Sequence, residues 1–142
     1  MPQFPEDLEN RPLEGKRILL AEDEERLRTI VAMMIEELGA EVVPVSDGLS
    51  ALDAYRGSSS EVDLVLLDMR MSGLSGATTF KRLLELDPDV KVVLSSGVLP
   101  DDDLVEMLVK HGCGFIEKPF NLDKLGDVLG KVLGGESVIQ TL

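Results

Sequence analysis

The sequence predicts an α/β fold, a parallel sheet with helices on both faces, from three observations. Five short apolar runs punctuate the chain, and each is followed by a stretch with helical apolar spacing. The connections between runs are too long for hairpins, which calls for parallel strands joined by crossover helices. The run Val62 to Leu67, broken only by Asp63, is almost continuously apolar, as expected of a strand buried on both faces.

Lys16 to Ala21 is the first strand and runs straight into Glu22, Asp23, Glu24 and Glu25. From Glu24 to Leu38 the residues Leu27, Ile30, Val31, Met34, Ile35 and Leu38 recur at helical spacing, with acids in the first turn and Gly39 at the stop position. Glu41 to Val45 is the second strand. Asp47 then caps a short helix through Tyr55, with Leu49, Leu52 and Tyr55 expected to face inward. Val62 to Leu67 ends in Asp68 and a turn-forming segment with Gly73, Ser75 and Gly76, and a helix follows to Leu86, closed by Asp87 and Pro88.

Val90 to Leu94 is the fourth strand and leads into Ser95, Ser96 and Gly97. Pro100 and the acids Asp101 to Asp103 open a helix to about Lys110. Phe115 to Glu117 is the fifth strand, ending at Lys118 and Pro119, and a helix from Leu122 to Leu133 closes the fold. Right-handed crossovers leave few topologies for such a chain. The one expected is the flavodoxin-like, doubly wound (βα)5 sheet in the order 2-1-3-4-5, a three-layer α/β/α sandwich. Residues 1–15, with their prolines and acids, read as a tail or linker, 16–134 as the domain, and 135–142 as a C-terminal tail.

Composition narrows the function. A chain of 142 residues can bury a core unaided, and a formal net charge of −13 argues against nucleic acid and anionic lipid as partners. No apolar run approaches the roughly 20 residues needed to span a bilayer. The single cysteine, Cys113, excludes an intramolecular disulfide and suits a reducing compartment; with no export leader visible, cytoplasm is expected. His111, the only histidine, reads as a helix-end imidazole, Cys113 as a small packed residue, and Met33 and Met34 as core filler.

The expected strand order sets strands one and three side by side and gathers Glu22, Asp23 and Asp68 at their carboxyl ends, where ligands of α/β sheets collect. By itself Asp68 can be a nucleophile, a metal ligand, a general base or the cap of a turn. Three clustered carboxylates call for a cation, and Mg²⁺ suits an all-oxygen donor set. Strand four adds the hydroxyls of Ser95 and Ser96, and strand five adds Lys118. Acids on one side and donors on the other fit phosphoryl transfer, with Asp68 forming an aspartyl phosphate.

The motifs ILLAEDE at Ile18 to Glu24, LVLLDMRMSGLSG at Leu64 to Gly76, VVLSSG at Val92 to Gly97 and GFIEKPF at Gly114 to Phe120 resemble the receiver domain of bacterial two-component response regulators. The resemblance covers about Lys16 to Leu133. It implies Asp68 as phosphoacceptor and Mg²⁺ or Mn²⁺ held by Asp23, Asp68 and the Arg70 backbone carbonyl, with Glu22 acting mainly through water. Ser96 and Lys118 would contact the phosphoryl group, the Met69 and Gly97 amides would cradle it, Ser96 and Phe115 would form the switch, and the bond to Pro119 would be cis. Glu22 in place of Asp, Ser72 in place of Pro, and Ser96 with Gly97 in place of Thr and Ala depart from the commonest pattern. Arg70 and Val98 occupy places that tune phosphate lifetime in the family.

The implied partner is a histidine kinase or histidine phosphotransfer protein, with a homodimer through the last helices as a further expectation. The domain would catalyse only its own phosphorylation and dephosphorylation, either as a stand-alone receiver or as a piece of a hybrid histidine kinase. The alternative is a receiver fold acting as a phosphorylation-independent protein-binding module. A haloacid-dehalogenase-type phosphatase would want a second Asp where Arg70 stands, and a flavodoxin would not place Glu22 to Glu25 at its phosphate loop.

Overall fold

The computed structural model describes residues 11–58 and 60–142; most of the expected N-terminal tail, residues 1–10, lies outside them. The elements alternate as β1 (Arg17–Ala21), α1 (Glu25–Glu37), β2 (Glu41–Val45), α2 (Gly48–Ser58), β3 (Leu64–Asp68), α3 (Gly76–Leu86), β4 (Val92–Ser96), α4 (Asp102–Lys110), β5 (Gly114–Glu117), α5 (Leu122–Leu133) and β6 (Val138–Gln140). All strands are parallel, in the order β2-β1-β3-β4-β5-β6.

The central strands explain the layering. Every residue of β3 and β4 is buried, so alternate side chains feed opposite faces of the sheet. Leu19, Val65, Leu67, Val92 and Leu94 enter one core with Phe80, Leu83 and Phe115. Ile18, Leu20, Leu64, Leu66 and Val93 enter the other with Ile35, Leu125 and Leu129. Local signals set the helix ends. Ser75, Asp101 and Asn121 each accept a hydrogen bond from the backbone N–H three residues on, and Gly39, at φ +105°, turns the chain out of α1.

Three expectations need correction. The sheet has a sixth strand, because part of the expected C-terminal tail pairs with β5 in the register Gly114↔Val138, Phe115↔Ile139 and Ile116↔Gln140. Glycine at 114 permits this approach, since a Cβ there would lie 2.9 Å from the Val138 carbonyl oxygen. At the other end, Leu13 is fully buried and its N–H donates to the Leu38 carbonyl (3.0 Å), so the fold begins before Lys16. Finally, the apolar stripes are narrower than their spacing suggests. Val31 and Ile35 are buried in α1, whereas Ile30 and Met33 are 50% and 63% exposed, and Leu49 at the start of α2 is 59% exposed. A helix lying on a sheet covers only one side, and the flanks of its stripe stay open when no neighbouring helix closes over them.

Candidate functional site

The site is built from the carboxyl ends of four neighbouring strands. Asp68 is the last residue of β3 and pairs with Ser95 of β4, while Ser96 of β4 pairs with Glu117 of β5. Glu22 and Asp23 directly follow β1, and Lys118 directly follows β5. The parallel register therefore delivers acids, a hydroxyl and an ammonium to one cleft of about 440 Å³, lined by Glu22, Asp23, Asp68, Arg70, Ser96, Gly97, Val98 and Lys118 among others.

Lys118 is the hub. Its Nζ donates to Asp68 Oδ1 at 3.0 Å and to Glu22 Oε1 at 3.1 Å. The side chains of those two acids are only 8% and 5% exposed. Burial disfavours the ammonium, but the hydrogen bonds and charges of Asp68 and Glu22 outweigh it and raise the Lys118 pKa. Burial is also the main cause holding Glu22 above the usual carboxylate range; the Glu24 N–H and Lys118 oppose it and the Asp68 charge adds to it. The Glu24 N–H donates to Glu22 Oε2 at 3.1 Å, and Arg28 anchors the same residue by donating to its carbonyl oxygen at 2.9 Å.

Asp23 is exposed and completes a triad with Glu22 and Asp68 in which one carboxylate oxygen from each lies within 4.8 Å of the others. Only oxygen donors are offered, and two of the three acids are buried, one of them held back from ionising. That donor set fits a hard divalent cation, which would relieve the repulsion while retaining water ligands.

Ser96 is buried, and its Oγ accepts from the Val98 N–H at 3.0 Å, leaving the hydroxyl proton to donate elsewhere. Ser95 leans away, its Oγ 3.5 Å from the Leu67 carbonyl oxygen. Behind Asp68, Gly76 is required by close approach: a Cβ there would lie 2.5 Å from the Asp68 carbonyl oxygen. Gly97 faces open space at the equivalent point, so its lack of a side chain is not sterically imposed.

With this geometry in view, the comparisons with known proteins decide the family. The family described as response regulator receiver domain matches residues 18–129. The chain belongs to that family. Receiver domains are the phosphoacceptor modules of two-component signalling, and they interact with histidine kinases and phosphotransfer proteins.

Among similar proteins, the autoinducer 1 sensor kinase/phosphatase LuxN of Vibrio campbellii is 32% identical over 116 residues, 82% of this chain but 13% of LuxN. The chain thus spans a small part of the sensor kinases it matches. Chemotaxis protein CheY of Thermotoga maritima is 27% identical over 119 residues, 83% of this chain and 98% of CheY. A solved response regulator receiver domain protein from Clostridium thermocellum superposes with a TM-score of 0.75 at 22% identity, covering 84% of this chain and 94% of the other, a likeness of fold.

The receiver reading can be followed residue by residue. Glu22, Asp23, Asp68, Arg70, Ser96, Gly97 and Lys118 all line the one cleft. Phe115 is fully buried in the core beneath it, and the Lys118–Pro119 bond is cis. The Met69 amide is a correction: it donates to the Ser95 carbonyl at 2.9 Å, continuing the β3–β4 ladder, and is not turned to the cleft as a cradle. Sequence reasoning also missed Ser72, whose N–H and hydroxyl both donate to Asp23 Oδ2, at 3.1 and 3.3 Å. A loop serine carries no periodic signal, and only the fold brings it beside a residue 49 positions away. Among the described residues, no helix is long and apolar enough to cross a membrane.

Proposed function

We propose that Asp68 accepts a phosphoryl group from a phosphohistidine of a histidine kinase or phosphotransfer protein, and that the domain then signals through protein contacts. The observation that carries this reading is the Lys118 ammonium held at 3.0 Å from Asp68, beside two further acids and a buried hydroxyl. An Asp68 carboxylate oxygen attacks phosphorus as the P–N bond to the donor imidazole breaks. The leaving nitrogen keeps the electron pair and takes up a proton as neutral imidazole.

Each residue has a defined part. Lys118 pairs with the charge on the transferring oxygens, and Ser96, with one lone pair engaged by Val98, donates its hydroxyl proton to one of them. Asp23, Asp68 and the Arg70 carbonyl would hold Mg²⁺, with Glu22 engaged through water. Bound there, the cation neutralises the phosphoryl oxygens and the crowded carboxylates. Burial of Asp68 and Ser96 keeps bulk water from the reacting atoms.

Phosphorylation would draw Ser96 toward Asp68 and open space for Phe115, buried on the neighbouring strand β5, to change its packing. An apolar cleft of about 340 Å³ adjoins the acids, lined by Leu27, Ile30, Met34 and Phe120, and supplies surface for the phosphodonor protein beside the nucleophile. A phosphorylation-independent binding module would have no use for a buried lysine–carboxylate arrangement that is costly to assemble. The reading is tested by incubating the protein with acetyl phosphate in Mg²⁺ or in EDTA and weighing the intact chain. Incorporation that requires the cation is expected; no incorporation at any Mg²⁺ concentration would overturn it.

A further inference from the structure

We propose that Ser72 is a positioning residue that fixes the Asp23 carboxylate for cation binding; the proposal rests on the metal-site reading given above. The three acids are not held alike. Glu22 and Asp68 are buried and tied to Lys118. Asp23 is exposed, so neither burial nor the lysine sets its rotamer. Its restraint comes across the cleft from the loop after β3. There the Ser72 N–H and Oγ–H converge on a single oxygen, Oδ2, at 3.1 and 3.3 Å, and Gly73, at φ +80°, turns the chain immediately afterwards.

Two donors on one oxygen leave Oδ1 uncommitted to Ser72. In this proposal Oδ1 is the oxygen left to face the cation. Hydrogen bonds that orient a ligating carboxylate typically change metal affinity by 10–100-fold when removed, because the unbound ligand must otherwise be ordered at the moment of binding. Here the pair is exposed, which places the effect at about the lower end of that range. The residue type matters through the backbone as well as the side chain: a proline at 72 has no N–H to give.

Four proteins separate the contributions: the unaltered chain, Ser72→Ala (amide kept), Ser72→Pro (both donors removed) and Ser72→Thr (both kept). Mg²⁺ and Mn²⁺ affinities are measured by calorimetry, and the Mg²⁺ dependence of acetyl phosphate-driven phosphorylation is followed in parallel. The dissociation constant is expected to rise by about threefold in Ser72→Ala and about tenfold in Ser72→Pro, and to return in Ser72→Thr. Half-saturating Mg²⁺ for phosphorylation should move by the same factors while the rate at saturating Mg²⁺ is unchanged. The melting temperature of Ser72→Ala in EDTA should match that of the unaltered chain. If the unaltered chain binds the cation and both Ser72→Ala and Ser72→Pro bind it equally well, the role of Ser72 is overturned alone. If the unaltered chain binds no divalent cation, the metal site falls and this proposal with it.

Discussion

Replacing Lys118 by methionine keeps an apolar stem of similar length and deletes the charge that two buried carboxylates share. At 3.0 and 3.1 Å, each ion pair is worth about 5 kcal/mol of gross attraction at an effective dielectric of roughly 20. Desolvation cancels most of that in the intact protein, so the net cost of removal is set by what remains behind. What remains is Asp68 and Glu22, 8% and 5% exposed, facing each other without a counterion. Breaking a buried pair costs about 3–5 kcal/mol. The Lys118 side chain is 24% exposed and water can partly replace it, so about 2 kcal/mol is expected, a fall of roughly 6–10 °C in melting temperature.

The sign of the pH dependence fixes where to measure. The Lys118 pKa is raised in the folded state, so its contribution is fully present below 10.5 and is lost only as pH rises through the higher folded value. Neutral pH therefore lies on the plateau. Thermal unfolding is followed in EDTA and again across a Mg²⁺ titration. Because a like charge has left the site, Mg²⁺ should bind Lys118→Met at least as tightly as the unaltered chain and raise its melting temperature by more. Phosphorylation by acetyl phosphate should be impaired even so. A variant as stable as the parent in EDTA, or one with weakened Mg²⁺ binding, would refute the role assigned to the ammonium.

Other substitutions test how the scaffold holds the site. Gly76→Ala places a Cβ 2.5 Å from the Asp68 carbonyl and 2.7 Å from Met69 Cα, so a loss of about 2 kcal/mol together with weakened phosphorylation is expected from melting and acetyl phosphate assays. Gly114→Ala should cost about 1–2 kcal/mol and expose the amides of β6 to hydrogen exchange, since its Cβ would meet Val138 and Val132 at 2.9 Å. Asp47→Ala removes a cap whose Oδ1 accepts from the Ser50 N–H at 2.7 Å and should cost about 1 kcal/mol at neutral pH. The Asp47 pKa is lowered, chiefly by that backbone hydrogen bond. Its contribution is therefore present above 3.8 and lost as pH falls through the lower folded value, and the two proteins should converge in acid.

The sheet order and the cleft were legible in the sequence because both follow from period and strand ends. Continuous apolar runs marked β3 and β4, and the polar residues at which the runs stop, Asp68, Ser96 and Lys118, meet in the structure because parallel strands share one carboxyl end. What escaped was what periodicity does not encode. β6 has three residues, too few to show alternation, and depends on Gly114 for its approach. Leu13 sits in a proline-flanked turn whose burial is decided by its bond to Leu38 in α1. Ile30 and Leu49 satisfy helical spacing and Met33 reads as core filler, yet all three lie where no described element covers them. The resemblance gives the Met69 amide to the cleft, whereas the ladder claims it for Ser95.

The central claim is that Asp68 is the phosphoacceptor. Its most direct test locates the phosphoryl group after treatment with acetyl phosphate and Mg²⁺, by reducing the acyl phosphate with borohydride and mapping the modified peptide, with Asp68→Asn in parallel. Modification confined to Asp68, and absent from Asp68→Asn, is the predicted result. Modification at another residue, or equal phosphate on Asp68→Asn, would contradict it.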